Sequence, residues 1–159
     1  MTDAKMTDAK IDMLRHALAT LAYRAGKALH GAPPEFASYG ERTPGQILAH
    51  MCDLFDWAVT LLDGRQAWNN SPVGEWELDV ARFFTTLEAF DARVASGMAR
   101  GDTPERIFQG PVADALTHVG QIAMLRRMAG CKIPGENYHA ARIEVGRVGS
   151  EQAMPVREF

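Results

Sequence analysis

The sequence predicts an all-α protein, a four-helix bundle with an extended C-terminal tail. Four segments repeat apolar residues at spacings of three and four, which is the spacing of one helix face, and no segment shows a comparably strong strand-like alternation. Prolines and glycines separate these segments, as expected at helix ends. A chain of 159 residues with 47% hydrophobic residues is long enough for one domain with a substantial core.

The first helix is predicted from Asp8 to Leu29. Its end is indicated by Gly31 followed by two prolines. The preceding repeat, MTDAKMTDAK, is interpreted as a duplicated start or a cloning remnant, and residues 1–8 are expected to be disordered. This repeat lacks the apolar stretch of a signal peptide. The apolar stripe of the first helix consists of Ile11, Leu14, Leu18, Leu21, Ala22, Ala25 and Leu29.

The second and third helices are separated by a long connection. The second is predicted to begin at Pro44, with Thr43 as its N-cap, and to end at Asp63. The third is predicted from Glu75 to Ala95, with a break over 97–101. The connection over 63–76 is longer than an antiparallel helix pair needs, which favours a crossover between these helices.

The fourth helix has two candidate starts, at Pro104 and at Pro111. A proline inside a helix removes one hydrogen bond and kinks the helix. Two structures are therefore compatible with the pattern: a short turn followed by a helix from Pro111, or one kinked helix from Pro104, each ending at Gly130. Residues 131–159 show no helical stripe, and such a tail is expected to wrap a surface or to exchange with a partner subunit.

Composition excludes several functional classes. The net charge is −3 and the basic residues are dispersed, so no nucleic-acid partner is expected. The longest apolar stretch is interrupted by His50, Asp53 and Asp56, so no membrane span is expected. Cys52 and Cys131 lie far apart and do not form a metal-binding pair, which is typical of a reduced, cytoplasmic protein.

One group of polar residues predicts a metal site. His50 lies on the apolar face of the second helix, and Asp114, His118 and Gln121 share one ridge of the fourth. Helical bundles build metal sites from inward side chains on facing helices. Two imidazoles and one carboxylate leave coordination positions open, as in catalytic sites. Asp53 and Gln121 are expected to accept hydrogen bonds from His50 and His118, respectively, and so to orient the two rings.

Simpler interpretations exist for each of these residues. A histidine on an apolar face is more often a hydrogen-bonded core residue than a metal ligand. Asp114 follows Pro111 by one helical turn, where any carboxylate is favoured by the helix dipole. Gly120 costs about 1 kcal/mol relative to alanine inside a helix, and its presence suggests close approach of another helix or of a ligand. The three tryptophans are interpreted as packing residues of the core or of a lid.

Two segments resemble the DinB-like superfamily of four-helix-bundle metalloenzymes: RTPGQILAHMCDL, from Arg42 to Leu54, and GPVADALTHVGQIAMLRRMAG, from Gly110 to Gly130. The family pattern has a histidine early in the second helix and His-x-x-x-His-x-Gly-Gln on the fourth. His50 matches the first position, and the stretch that begins at His118 matches the end of the second pattern.

Asp114 occupies the position of the first histidine of the family's fourth-helix pair. If it binds, the site has two histidines and one carboxylate, a set that suits zinc, nickel, iron or manganese. The alternative is that Asp114 does not bind and the site is weak or lost.

The resemblance also implies an up-down-down-up order of helices, with the second and fourth antiparallel. In that arrangement His50 and His118 lie at the same depth only if the fourth helix starts at Pro104, which places His118 about 21 Å along it. Counting from Pro111 places it at about 10 Å, poorly matched to His50. One kinked helix from Pro104 is therefore predicted.

The function implied by the resemblance is that of a metal-dependent transferase, in which a low-molecular-weight thiol attacks a small electrophilic substrate. A homodimer is the expected assembly. A metal-dependent hydrolase and a non-catalytic metal-binding or dimeric scaffold module are the alternatives. The tail is expected to place residues at the mouth of the site, the candidates being Glu136, Tyr138, Arg142 and Arg147.

Overall fold

The computed structural model describes residues 3–98 and 102–159, with side chains from residue 8 onward. The described residues form an all-helical structure without strands, as predicted, and one isolated bridge joins Glu136 and Glu158. No helix in this part of the chain combines the length and the apolar character needed to cross a membrane. The helices are α1 (Asp3–Leu29), α2 (Pro44–Leu62), α3 (Trp76–Ala95), α4 (Pro104–Ile107) and α5 (Ala113–Met128), with 3₁₀ turns at Pro34–Ser38 and Tyr138–Ala140.

One predicted boundary differs from the structure by several residues. Helix α1 begins at Asp3 rather than Asp8, and so includes residues that were expected to be disordered. Residues 1 and 2 lie outside the described residues, as do residues 99–101 of the predicted break after the third helix.

Helix α2 begins where its sequence predicts because both ends of a capping box are present. The Thr43 hydroxyl accepts a hydrogen bond from the Gln46 backbone N–H at 3.2 Å, and the Gln46 side-chain oxygen accepts one from the Thr43 N–H at 3.0 Å. Each satisfies a backbone donor that a helix start otherwise leaves free. This cap fixes the first turn of the helix that carries His50.

The fourth helical segment is helical without a break from Pro104, as predicted. A π-helical turn, Phe108–Val112, joins α4 to α5 and contains Pro111. The wider turn accommodates the proline, which has no N–H to donate, without ending the helix. The segment therefore extends across the site region as a continuous rod.

Helices α2 and α3 pack through an aromatic and ionic interface. The Phe55 ring lies 5.2 Å from that of Phe83. Along this interface the paired residue numbers rise together, because Asp53 binds Arg82 while Asp63 binds Arg93.

Helix α1 contacts α3 on one side and the fourth segment on the other. Arg15 forms a bidentate ion pair with Asp91, whereas His30, near the other end of α1, stacks on Phe84. Along this interface, residue numbers therefore increase on α1 while they decrease on α3. On the other side, Lys10 pairs with Glu105 and the C-terminal end of α1 contacts Arg126, so the numbers rise together.

The C-terminal tail packs against helices of its own chain. Glu136 accepts hydrogen bonds from Tyr23 and Lys27 of α1, the latter at 2.9 Å. Val148 is buried in the hydrophobic core. Of the two predicted arrangements, wrapping of a surface is therefore the one that the structure contains.

Candidate metal centre

His50, Asp114 and His118 meet between α2 and α5. One donor atom from each of the three residues lies within 4.8 Å of the other two. The His50 Nε2 atom is 3.3 Å from one Asp114 oxygen, and the His118 Nε2 atom is 3.5 Å from the other. The two imidazole ring centroids are 4.9 Å apart. The predicted ligand set is therefore assembled in space.

The local structure explains this convergence. Asp114 and His118 are one helical turn apart on α5, so both project from the same ridge. His50 approaches them from α2, which packs against α5. The side chain of His118 is 10% exposed and that of Asp114 is 46% exposed, so the site has a buried floor and an open side. A small molecule can therefore reach it from solvent.

Gln121 fixes the orientation of His118. The Nδ1 atom of His118 lies 2.7 Å from the Gln121 side-chain oxygen. Because that oxygen accepts only, Nδ1 is the donor in this hydrogen bond, and Nε2 is the ring nitrogen that faces Asp114. Orientation of a ligand histidine through its other ring nitrogen is usual at metal sites.

The three side chains could hold a divalent metal ion. Bonds of about 2.0–2.2 Å to nitrogen and oxygen in a tetrahedral site separate the donor atoms by about 3.4 Å. The two histidine-to-carboxylate distances, 3.3 and 3.5 Å, run to different oxygens of Asp114, so the carboxylate lies between the two imidazoles. Imidazole and carboxylate donors suit zinc, iron, nickel and manganese, and the geometry does not select among them.

Asp53 does not orient His50, contrary to the sequence prediction. Its carboxylate accepts hydrogen bonds from the backbone and hydroxyl of Ser71, at 2.8 and 2.6 Å, and from Arg82 at 2.8 Å. These bonds hold the pKa of Asp53 below its usual range, although burial opposes them. Asp53 instead attaches the connection over 63–75 to α2 and α3.

An aromatic wall beside His50 was not predicted. The ring centroid of Trp68 is 5.5 Å from that of His50, and Trp57 lies 5.9 Å from Trp68 on its other side. Trp68 is 41% exposed and belongs to the connection between α2 and α3. Its position depends on a loop without periodic pattern, so only the general prediction that tryptophans pack in a lid was available from sequence.

A polar cavity of about 460 Å³ opens on the α2 side of the centre. Sequence reasoning did not identify it, because it forms only when the loop after α2 folds back over the first turns of that helix. Its lining consists of Arg42, Gln46, Ala49, His50, Asp53, Asn70, Ser71, Pro72 and Val73.

Two further expectations about the site are corrected in part. Beyond its own helix backbone, a Cβ atom added to Gly120 would meet no atom of the described residues within 4 Å, so no other helix of this part of the chain approaches closely there. In the tail, Glu136 binds α1 and Tyr138 packs against Tyr23 and Arg24. These two tail residues therefore do not reach the mouth of the centre.

Comparisons of the chain with protein-family models, with curated proteins and with solved structures found no match.

Proposed function

We propose that this protein is a metal-dependent enzyme whose metal ligands are His50, Asp114 and His118. The observation that carries the proposal is that one donor atom from each of the three residues lies within 4.8 Å of the other two. The residues come from two different helices, since His50 and Asp114 are 64 residues apart in the sequence. Three protein ligands with a solvent-accessible side are the arrangement of catalytic metal sites, because structural sites use four.

We also infer that the helices form an up-down-down-up bundle, with the connection over 63–75 as the crossover. This inference is supported by the residue pairs at the interfaces. Residue numbers increase in the same direction along α2 and α3, and along α1 and the fourth segment. They increase in opposite directions along α1 and α3. In this topology, the metal centre lies between two antiparallel helices, α2 and α5.

The proposed reaction is transfer of a low-molecular-weight thiol to a small electrophile, as the resemblance of the His50 and His118 segments to the DinB-like superfamily implies. A divalent cation, when bound, supplies a Lewis acid that stabilises a thiolate near neutral pH. The chain contributes the fixed orientation of His118 through Gln121 and an aromatic wall at Trp68 that shields one side from water. A reducing cytoplasm, where such thiols are abundant, and a homodimeric assembly belong to the same proposal.

Metal content tests the centre. Protein purified without an affinity tag, which would introduce adventitious nickel, is expected to contain one divalent metal ion per chain by elemental analysis. His50→Ala and His118→Ala are each expected to lose it while retaining the helical circular dichroism of the parent. His16→Ala is the matched control, because His16 is exposed on α1. Full metal content in both site variants would contradict the proposed ligands.

Turnover separates an enzyme from a binding module. The metal-loaded protein is expected to accelerate the reaction of small thiols with aromatic halides or epoxides, and the two histidine variants are not. A stoichiometric metal without turnover across a broad panel of electrophiles would instead favour a non-catalytic metal-binding module. Thiol-independent cleavage of esters or amides would favour a hydrolase.

A further inference from the structure

The polar cavity beside His50 has an unusual balance of hydrogen-bonding groups. The amide and carboxylate oxygens of its side chains accept hydrogen bonds from the protein, whereas several N–H groups have no acceptor among the described residues. On this basis we propose that the cavity binds the carboxylate group of the thiol substrate, and that Arg42 is its principal contact. This inference rests on the proposed metal-dependent function and specifies the class of substrate.

The acceptors of the cavity are already satisfied by the protein. Both oxygens of Asp53 accept hydrogen bonds from Ser71 or Arg82. The Gln46 oxygen accepts from the Thr43 N–H, and the Asn70 oxygen accepts from the Trp68 indole at 2.9 Å. A ligand that mainly donates hydrogen bonds would find few free partners here.

The donors of the cavity are available. With their oxygens engaged, Gln46 and Asn70 each retain an amide NH₂ group that contacts no acceptor among the described residues. Arg42 is exposed and forms no ion pair in the part of the chain that the structure describes. A guanidinium and two amide groups line the same 460 Å³ space, and such a set suits a planar anion.

The local charge favours a monoanion. The only carboxylate in the lining, Asp53, is paired with Arg82, whereas Arg42 forms no ion pair among the described residues and is the one cationic side chain of the lining. Asp56 and Asp114 lie on the adjoining surfaces of α2 and α5, where a second negative charge on the ligand would be repelled. A single carboxylate, as in a small organic acid, therefore matches the cavity better than a phosphate dianion.

The cavity lies next to the proposed metal centre. His50 lines it and also contributes to the metal centre. A thiol substrate whose carboxylate contacts Arg42 would lie beside His50, the side chain that the cavity shares with the proposed metal centre. Arg42 is thus a substrate-binding residue, and Gln46 and Asn70 assist it.

A pair of matched thiols tests the inference. Mercaptopropionate and its uncharged amide share the thiol and differ in the carboxylate, and their affinities for the zinc-loaded protein can be measured by calorimetry. The parent is expected to bind the acid about tenfold more tightly than the amide, as one charge-assisted hydrogen bond implies. Arg42→Gln is expected to bind both with the affinity of the amide, with unchanged zinc content.

Arg127→Gln is the control, because Arg127 is exposed near the end of α5 and does not line the cavity. It should retain the tenfold preference. Equal binding of acid and amide by the parent, or a preference that survives in Arg42→Gln, would overturn the carboxylate site while leaving the thiol-dependent function intact. If zinc is bound but neither thiol binds, or if no zinc is bound, the proposed function itself fails, and the inference fails with it.

Discussion

At the scale of single residues, the two cysteines show how environment determines reactivity. Cys52 is fully buried, its sulfur contacts the Asp79 carbonyl, and burial raises the pKa of its thiol to about 12. Cys131 follows the end of α5 and is partly exposed. Because the thiolate is the reactive form, only Cys131 combines access with reactivity.

We therefore expect one thiol of the native protein to react rapidly with an aromatic disulfide reagent near neutral pH. The second should react only after unfolding in guanidinium chloride. Cys131→Ser should abolish the rapid phase and leave the slow one. Two rapid thiols in the native parent would show that the interior around Cys52 opens far more readily than its packing implies.

Arg126 is a second residue whose role follows from its contacts. It is buried, and its guanidinium donates to the carbonyls of Ala28, His30 and Gly31 at the end of α1 and to that of Cys131. It therefore supplies donors that the end of a helix otherwise lacks.

Arg126→Met is expected to lower the free energy of unfolding by about 2 to 3 kcal/mol, because several carbonyls lose a charged donor. Arg127→Met, at the exposed neighbouring position, should change it by less than about 0.5 kcal/mol. Urea denaturation of the two variants measures the difference. Equal stability of the pair would contradict a capping role for Arg126.

At the scale of elements, the connection over 63–75 is held by a carboxylate rather than by apolar packing. Asp53 of α2 joins Ser71 of the connection to Arg82 of α3. Because the folded-state pKa of Asp53 is lowered, its contribution to stability is present above the unfolded-state pKa of about 3.9. The contribution is lost as the pH falls through the folded-state pKa.

Asp53→Asn is accordingly expected to lower the free energy of unfolding at neutral pH by about 1 to 3 kcal/mol, because Ser71 and Arg82 lose a buried, charged acceptor while Arg82 keeps its pairing with Asp56. The difference from the parent should narrow as the pH falls below about 4. Asp56→Asn is the control, since Asp56 binds the same arginine but its side chain is 47% exposed, and its effect should be below about 1 kcal/mol. A difference that is constant between pH 3 and 7 would refute the assigned role.

The same elements show what local sequence can predict. The start of α2 was predictable because a cap, a proline and an apolar stripe are all encoded within a few residues of Thr43. Asp114 and His118 were predictable as a pair because their spacing alone puts them on one ridge. The partners of Asp53 were not, because Ser71 and Arg82 lie 18 and 29 residues away and only tertiary packing brings them near.

The elements of the site that were missed share this property. Trp68 and Asn70 belong to a loop, and loops carry no period from which a facing surface can be derived. The expectation that another helix packs against Gly120 was wrong for a related reason. A helical glycine is compatible with close packing or with an open surface, and only the neighbours distinguish these cases.

At the scale of the whole molecule, the tail completes the fold of its own chain. Its ordered contacts centre on Glu136, which is buried and accepts hydrogen bonds from Tyr23 and Lys27. Lys27 also binds Glu158, next to the C-terminal residue. Two points of the tail are therefore attached to one turn of α1.

This attachment predicts a loss of stability at alkaline pH. Burial and the hydrogen bond to Glu136 raise the pKa of Tyr23 well above its usual value, so its contribution is complete below the unfolded-state pKa of about 10 and is lost as the pH rises toward the folded-state value. Tyr23→Phe should be less stable than the parent at pH 7 by about 1 to 2 kcal/mol, because Glu136 loses a buried donor. The free energy of unfolding of this variant should also decline less steeply than that of the parent above pH 10, but it should still decline. Lys27 titrates there too: burial lowers its pKa, but the carboxylates of Glu158 and Glu136 raise it by more.

Tyr39→Phe is the control, because the Tyr39 hydroxyl has no hydrogen-bond partner among the described residues. Thermal unfolding between pH 7 and 11 measures all three proteins, and an alkaline decline in Tyr23→Phe as steep as that of the parent would exclude Tyr23 as its source.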